Sequence, residues 1–171
     1  MAGSLVLIEE VVISSSTASV ILNPIDSTYD VYMITVNNVV PITDGATPMF
    51  RVTKSGTAQT DSTYDYAVKQ LRTDTTFGNN NEDNIDSWKS NDIGTGTEEV
   101  LNMILYCFNF QNANEYSFIT QEISQISSSG LFRGRQGGGL HQVASASDGI
   151  QFLMSSGNIA SGDFKLYGLR K

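Results

Sequence analysis

Acidic and amide side chains crowd one polar stretch of the sequence, residues 73–97, and they are the first groups that could do chemistry. Four acids and two amides stand close together in it: Glu82, Asp83, Asn84, Asp86, Asn91 and Asp92. A hard cation such as Ca²⁺ binds several oxygens of this kind, but their spacing does not match the EF-hand loop, which alternates its ligands around a glycine and ends on a glutamate. We therefore interpret the stretch as a long, solvated polar loop and predict neither a metal site nor a cofactor.

Nucleophilic or acid–base catalysis would have to use a small set of other residues. Cys107 and His141 are each the only residue of their type, and the apolar run around Cys107 predicts a small buried side chain. A lone histidine does not make a histidine metal site, so we expect His141 to be hydrogen-bonded in a strand or loop. Asp65, Glu115 and Glu122 could supply a carboxylate pair for glycoside hydrolysis, but acids on strands usually face solvent. The sequence predicts a protein that is not an enzyme.

Aromatic side chains offer a different chemistry, which is binding. Trp88, Tyr64 and Tyr66 could stack on sugar rings or contact a partner, because an aromatic face is a good apolar platform. Trp88 is the only tryptophan and stands inside the polar stretch. Two interpretations of it remain open: an anchor that pins the loop to the fold, or a contact to a ligand or subunit. The glycine run 137–139 lacks the Lys-Ser/Thr of a phosphate loop and predicts a flexible turn or bulge.

The charge of the chain excludes several classes of partner. Ten basic and 18 acidic residues give a net charge of −8, and the basic residues are scattered. Phosphate backbones and anionic membranes both attract clustered Lys and Arg, so we expect neither nucleic acid nor membrane as a partner. Only 16% of the residues are charged, against about 25% in a typical domain. Such a weakly charged surface favours contacts between subunits, and we expect a homo-oligomer.

Short apolar runs bounded by turn residues form the pattern that must position these groups. They predict an all-β single domain over residues 1–171, an antiparallel two-sheet β-sandwich of jelly-roll type with about ten strands. Residues 100–110 also fit a helical stripe, but the turn residues that follow and a second apolar run at 116–123 favour a β-hairpin. Alternation in 150–154 and 164–169 predicts two closing strands, with the C-terminus held in a sheet.

Two stretches of the sequence resemble a known group of proteins. Residues 156–168 read Ser-Gly-Asn-Ile-Ala-Ser-Gly-Asp-Phe-Lys-Leu-Tyr-Gly, and residues 29–45 contain Tyr-Asp-Val-Tyr followed by Pro-Ile-Thr-Asp-Gly. Both stretches are similar to strands and turns of small bacteriophage virion proteins and phage fibre-type domains. The resemblance implies a jelly-roll-like sandwich that forms a structural part of a phage particle, commonly as a trimer. It carries over no catalytic residues.

The same resemblance favours one of two possible functions over the other. Fibre proteins usually place such a domain behind a long shaft, whereas here the strand pattern begins within a few residues of Met1. We therefore expect a stand-alone virion subunit, assembled in the host cytoplasm, either a head decoration or cement protein or a small tail-associated protein. Its partners would be other copies of itself, as a trimer, and other virion proteins of the capsid or tail. The alternative is a receptor- or glycan-binding module of a tail fibre, with Trp88, Tyr64 and Tyr66 against a host surface glycan.

Overall fold

The computed structural model describes residues 4–170, and these residues form an all-β protein. Thirteen strands are present among them: β1 (Leu5–Ile13), β2 (Ser19–Leu22), β3 (Val31–Pro41), β4 (Pro48–Lys54), β5 (Thr57–Ala58), β6 (Tyr64–Arg72), β7 (Gly78–Ile85), β8 (Trp88–Lys89), β9 (Leu101–Phe108), β10 (Ser117–Ile126), β11 (Phe132–His141), β12 (Gly149–Met154) and β13 (Ile159–Leu169). Within residues 4–170, no helix is long and apolar enough to span a membrane. The prediction of an all-β single domain is confirmed, with thirteen strands in place of about ten.

The strands form two antiparallel sheets that pack as a sandwich. One sheet has eight strands in the order β1-β13-β3-β9-β10-β11-β6-β7, and the other has five, in the order β2-β12-β4-β5 with β8 also paired to β4. Successive side chains of a strand point to opposite faces, so burial alternates along the long strands. In β10, for example, every second residue from Ser117 to Gln125 is buried and the residues between them are exposed. This strand order does not by itself establish the connectivity of a jelly roll, so the jelly-roll type stays a prediction.

The core lies between the inner faces of the two sheets. Phe152 of β12 and Phe164 of β13 belong to different sheets, and their ring centroids are 5.4 Å apart. Phe50 of β4 extends this contact, with its ring centroid 6.0 Å from that of Phe152. Each buried aromatic side chain of this kind removes about 150–250 Å² of surface from water. The contact between the sheets therefore depends strongly on a few large rings.

The closing strands β12 and β13 are both confirmed, but they do not pair with each other. β12 pairs with β2 and β4 in the five-stranded sheet. β13 lies between β1 and β3 in the eight-stranded sheet. The short turn between β12 and β13 therefore carries the chain from one sheet to the other. The last strand is held on both sides, and the prediction that the C-terminus is held in a sheet is confirmed.

Two predictions about the middle of the chain are wrong. Residues 73–97 do not form one loop, because Gly78–Ile85 is the edge strand β7 and Trp88–Lys89 is β8. The glycines at 137–139 do not form a turn, because they lie inside β11, which pairs with β10 on one side and with β6 on the other. The predicted hairpin is confirmed, since β9 pairs with β10.

The two stretches that carry the family resemblance pack against each other, since β13 pairs with β3. A side chain at Gly168 would have its Cβ 2.5 Å from Cγ of Tyr29, so the Tyr29 ring occupies the space that Gly168 leaves. Gly157 has a φ of +67°, and a Cβ there would lie 2.9 Å from Cγ1 of Ile42. The backbone N–H of Ile42 donates to the carbonyl of Asn158 at 2.9 Å. Packing between the two stretches therefore requires glycine at both positions.

Candidate functional site

Trp88 and Tyr64 lie in the core and not on the surface. Both side chains are fully buried, and their rings meet edge to face with centroids 5.0 Å apart. The indole N–H of Trp88 donates to the carbonyl of Asp65 at 3.1 Å, and the O–H of Tyr64 donates to the carbonyl of Gln59 at 2.8 Å. Burial raises the pKa of Tyr64 well above its usual range. Neither ring has a face left for a sugar, so the prediction of glycan contacts is wrong here, and the burial agrees with Trp88 as an anchor.

Tyr66 belongs to a buried polar cluster that joins β6, β7 and β11. Its O–H donates to Oε1 of Glu82 at 2.7 Å, and the guanidinium of Arg135 lies over its ring, 4.9 Å from the centroid. Arg135 is itself buried and donates to the carbonyl of Lys89 at 2.6 Å and to Oδ1 of Asn80 at 2.9 Å. Burial and the hydrogen bond to Glu82 raise the pKa of Tyr66. The predicted glycan contact is therefore also wrong for Tyr66, whose ring is enclosed by this cluster.

The acids of the 73–97 stretch have separate polar partners and do not converge. Three examples are Glu82 with Lys89 at 3.0 Å, Asp86 with Arg51 at 2.8 Å, and Asp92 with the hydroxyl of Ser128 at 2.6 Å. In the part of the chain that the structure describes, no group of three or more His, Cys, Asp and Glu side chains could hold a metal ion. These acids instead connect the β7–β8 region to neighbouring elements.

Cys107 and His141 are both buried, on β9 and β11, which are two strands apart. The usual strand spacing separates them by about 10 Å or more, too far for a thiol–imidazole pair. The predicted burial of Cys107 is confirmed, and this burial raises the pKa of its thiol. Burial, with the charge of Lys54, lowers the pKa of His141 to about 4. Nδ1 of His141 has no hydrogen-bond partner among the described residues, although its ring contacts that of Tyr64 at 4.7 Å.

The acids considered for glycoside hydrolysis are not brought together. Asp65 lies on β6, Glu122 on β10, and Glu115 in the turn between β9 and β10. Glu122 stands opposite Gln136, and Gln136 stands opposite Lys69. Two strand spacings and four residues of rise therefore separate Asp65 from Glu122 by about 17 Å. Glycosidases need their two carboxyl groups about 5–9.5 Å apart, so this pair cannot act together.

The two edges of the eight-stranded sheet differ in their protection. β1 pairs with β13 and with no other strand among the described residues. Leu5 and Leu7 are each 51% exposed, and Val12 is 60% exposed. β7 at the opposite edge reads Gly-Asn-Asn-Asn-Glu-Asp-Asn-Ile, and its pairing with β6 is irregular near Asn84, which has a φ of +53°. Polar side chains and bulges protect an edge from further pairing. β1 also has an irregularity, between Leu7 and Glu9, but it differs from β7 in carrying three exposed apolar side chains.

The outer face of the same sheet holds a groove near the β7 edge. Gly138 on β11 stands opposite Ala67 on β6, and their small size leaves a hollow of about 440 Å³. Phe118 from β10 is 40% exposed and borders the hollow on one side, while β7 borders it on the other. We call this hollow the outer-face groove and define it by six residues: Phe118, Leu140, Gly138, Ala67, Asn81 and Asp83.

Neither the buried polar cluster nor the outer-face groove was predicted, because each combines strands that are distant in the sequence. The groove is formed by β10, β11, β6 and β7, and the order of these strands in the sheet cannot be read from the sequence. The one available signal was Phe118, an aromatic residue out of phase with the apolar residues Ile119 and Ile123. In comparisons with known proteins, no family model, curated protein or solved structure matches the chain.

Proposed function

We propose that the chain is a non-enzymatic structural subunit of a bacteriophage virion. It assembles as a homo-oligomer, a trimer, and contacts other proteins of the capsid or tail. In the particle it serves as a head decoration or cement protein or as a small tail-associated protein. The observation that carries the proposal is the exposed apolar edge of β1, taken together with the resemblance of β3 and β13 to strands of phage virion proteins.

A sheet edge with exposed apolar side chains favours assembly for two reasons. The outward-facing backbone N–H and C=O groups of an edge strand can pair with a strand of another chain. Leu5, Leu7 and Val12 would also leave water when such a strand docks, and burial of apolar surface stabilises a contact by about 25 cal/mol per Å². On a monomer, the same edge would be a site of aggregation. A subunit that is held permanently in an assembly avoids that hazard.

The charge distribution is compatible with assembly through β1. Copies that each carry a net charge of −8 repel one another at long range. The surface through which they make contact must therefore carry few unpaired charged side chains. Two acids lie on β1, and both already have partners. Glu10 pairs with Lys165 at 2.8 Å, and Glu9 accepts a hydrogen bond from the backbone N–H of Asn23 at 2.7 Å. Docking at β1 therefore buries apolar side chains without leaving either carboxylate unpaired.

The resemblance supports the proposal through the fold. Gly157 and Gly168 of the C-terminal motif pack against Ile42 and Tyr29 of the other stretch, so the residues that match are coupled in space. The shared pattern thus describes one way of closing a sandwich. Its occurrence in phage virion proteins is our reason for proposing a virion role, and no enzymatic residue set accompanies it.

Molar mass in solution tests the assembly step. Val12→Lys and Leu7→Lys place a charge on the β1 edge without touching the core, and we expect each to convert the oligomer to a monomer in light scattering after size exclusion. Phe77→Lys is the matched control, because Phe77 is 59% exposed but lies beside β7 at the opposite edge. A wild-type chain that stays monomeric at every concentration, or a Val12→Lys variant with wild-type mass, would contradict assembly through β1.

The virion role has its own test. Mass spectrometry of purified particles of the phage that encodes this chain should detect it at a fixed copy number per particle. Reconstruction of those particles should then show it on the head or on the tail. Absence of the chain from intact particles, with abundant chain free in the lysate, would contradict a structural role whatever its oligomeric state.

A further inference from the structure

We propose that the outer-face groove binds a neutral oligosaccharide. The groove lies on the half of the eight-stranded sheet farthest from β1, so this binding site is independent of the assembly proposal. Its sugar-contacting residues differ from the buried aromatic residues considered first. Three properties of the groove support this binding: its shape, the chemistry of its two sides, and its charge.

The groove has the dimensions of a carbohydrate site. Phe118 on β10 and Asn81 on β7 are three strands apart and two residues out of register, which puts their backbones about 16 Å from each other. Gly138 and Ala67 lie between them and add almost no side chain, so the floor is low. A second hollow of about 450 Å³ adjoins the first, shares Ala67 and Asn81 with it, and extends toward Lys69. The two hollows together have room for more than one sugar ring.

One side of the groove is apolar. Phe118 and Leu140 stand directly opposite each other on β10 and β11, and Phe118 is 40% exposed. A pyranose ring has one face covered largely by C–H groups, and an exposed aromatic ring is a suitable platform for that face. Gly138 leaves the Phe118 ring accessible to a ligand, because a larger side chain at position 138 would stand between Phe118 and Ala67.

The opposite side of the groove is polar and can bond hydroxyl groups. A sugar hydroxyl both donates and accepts, so its partners should include amides and carboxylates. Asn81 and Asp83 on β7 both line the groove and are exposed. The second hollow adds Lys69 and Asn79, joined by a hydrogen bond of 3.2 Å. The groove therefore has an apolar side facing a hydrogen-bonding side, the same division that a pyranose ring has.

Charge selects neutral sugars over acidic ones. The residues that line the main hollow include Asp65, Glu82 and Asp83, and among these described lining residues there is no Lys or Arg. The chain as a whole carries −8, which repels sialylated or phosphorylated glycans at long range. Neutral hexose and N-acetylhexosamine chains avoid this repulsion, and their hydroxyl groups can donate to the carboxylate of Asp83.

Binding to an array of neutral and acidic oligosaccharides, followed by titration of the best neutral one, tests the site. We expect Phe118→Ala to weaken binding at least about tenfold, the equivalent of 1.4 kcal/mol. Ala67→Leu should block the floor and abolish binding, since its exposed side chain fills the hollow without entering the core. Phe132→Ala is the matched control: Phe132 is 39% exposed on β11 but lies outside the groove, so it should bind like wild type.

Three results would overturn the proposal. The first is a wild-type chain that binds no neutral oligosaccharide on the array at millimolar concentration, or binds only acidic ones. The second is binding that Phe118→Ala and Ala67→Leu leave unchanged. The third is a loss of oligomer mass in Phe118→Ala, because the groove would then be covered by a second copy of the chain. None of these results depends on Val12 or Leu7, so failure of the groove and failure of assembly through β1 are distinguishable.

Discussion

The contact between Gly168 and Tyr29 gives the most direct test of how the sandwich closes. A Cβ at position 168 would lie 2.5 Å from Cγ of Tyr29, far inside van der Waals contact, so Gly168→Ala must displace the ring. Overpacking of this kind costs about 1–3 kcal/mol. Displacing the Tyr29 ring would also disrupt its edge-to-face contact with Tyr32, in which the ring centroids are 5.6 Å apart. An aromatic pair of this kind contributes about 0.5–1.5 kcal/mol. Alanine regains roughly 0.5–1 kcal/mol over glycine in a strand, so we expect a net loss of about 2 kcal/mol.

Equilibrium unfolding in urea at one fixed protein concentration measures this loss, with the slope of the transition as a check on two-state behaviour. Gly78→Ala is the matched control, because a Cβ there meets only Oε1 of Gln70 at 3.8 Å, so only the gain of roughly 0.5–1 kcal/mol from replacing glycine should remain. A double-mutant cycle isolates the cause. In a Tyr29→Ala background the ring is gone, so Gly168→Ala should no longer destabilise the protein and should show only the gain of roughly 0.5–1 kcal/mol from replacing glycine. An equal cost of Gly168→Ala in both backgrounds would refute the idea that Tyr29 requires the glycine.

Three further predictions concern buried side chains. Trp88→Ala should cost about 3–5 kcal/mol in urea unfolding, while Trp88→Phe keeps most of the ring and should cost about 1–2 kcal/mol; equal costs would contradict the anchor role. Arg135→Lys should lower the free energy of unfolding by about 2 kcal/mol, because lysine cannot bond both of its acceptors and also cover the Tyr66 ring; a neutral result would contradict that geometry. The folded pKa of His141, about 4, lies below its ordinary 6.5, so the unfolded chain takes up the proton first and stability falls between pH 6.5 and 4. That part of the fall should be missing in His141→Leu, and a stability difference between the two proteins that does not change with pH would contradict it.

Hydrophobic alternation predicted the strands that have one apolar face and one polar face. β12 and β13 both followed from it, because a strand half-buried against a core alternates by necessity. β7 could not be found in this way. Its inner residues Asn80 and Glu82 are polar and meet Arg135 and Tyr66, so neither face of the strand carries an apolar pattern. A strand whose interior partners are polar side chains of another strand has no signature in its own sequence.

The wrong predictions for Trp88 and for the glycine run 137–139 have one shared cause. Trp88 was a candidate for exposure because polar residues surround it in the sequence, and the glycine run was a candidate for a turn because glycine favours turns. In the fold the two meet: a Cβ at Gly139 would lie 2.5 Å from Nε1 of Trp88. The glycine holds a regular strand position and leaves room for the indole. Such long-range complementarity depends on which strands become neighbours, and local composition does not encode that.

The two proposed surfaces are compatible because they lie at opposite ends of one sheet. β1 and β7 are separated by seven strand spacings, about 34 Å along the sheet. An oligomer joined at β1 therefore leaves the outer-face groove of each subunit uncovered. Several grooves on one oligomer would act together, since multivalent attachment raises apparent affinity well above that of a single site. A Val12→Lys monomer should then keep its affinity for a soluble oligosaccharide but bind a glycan-coated surface much more weakly than the wild-type oligomer does.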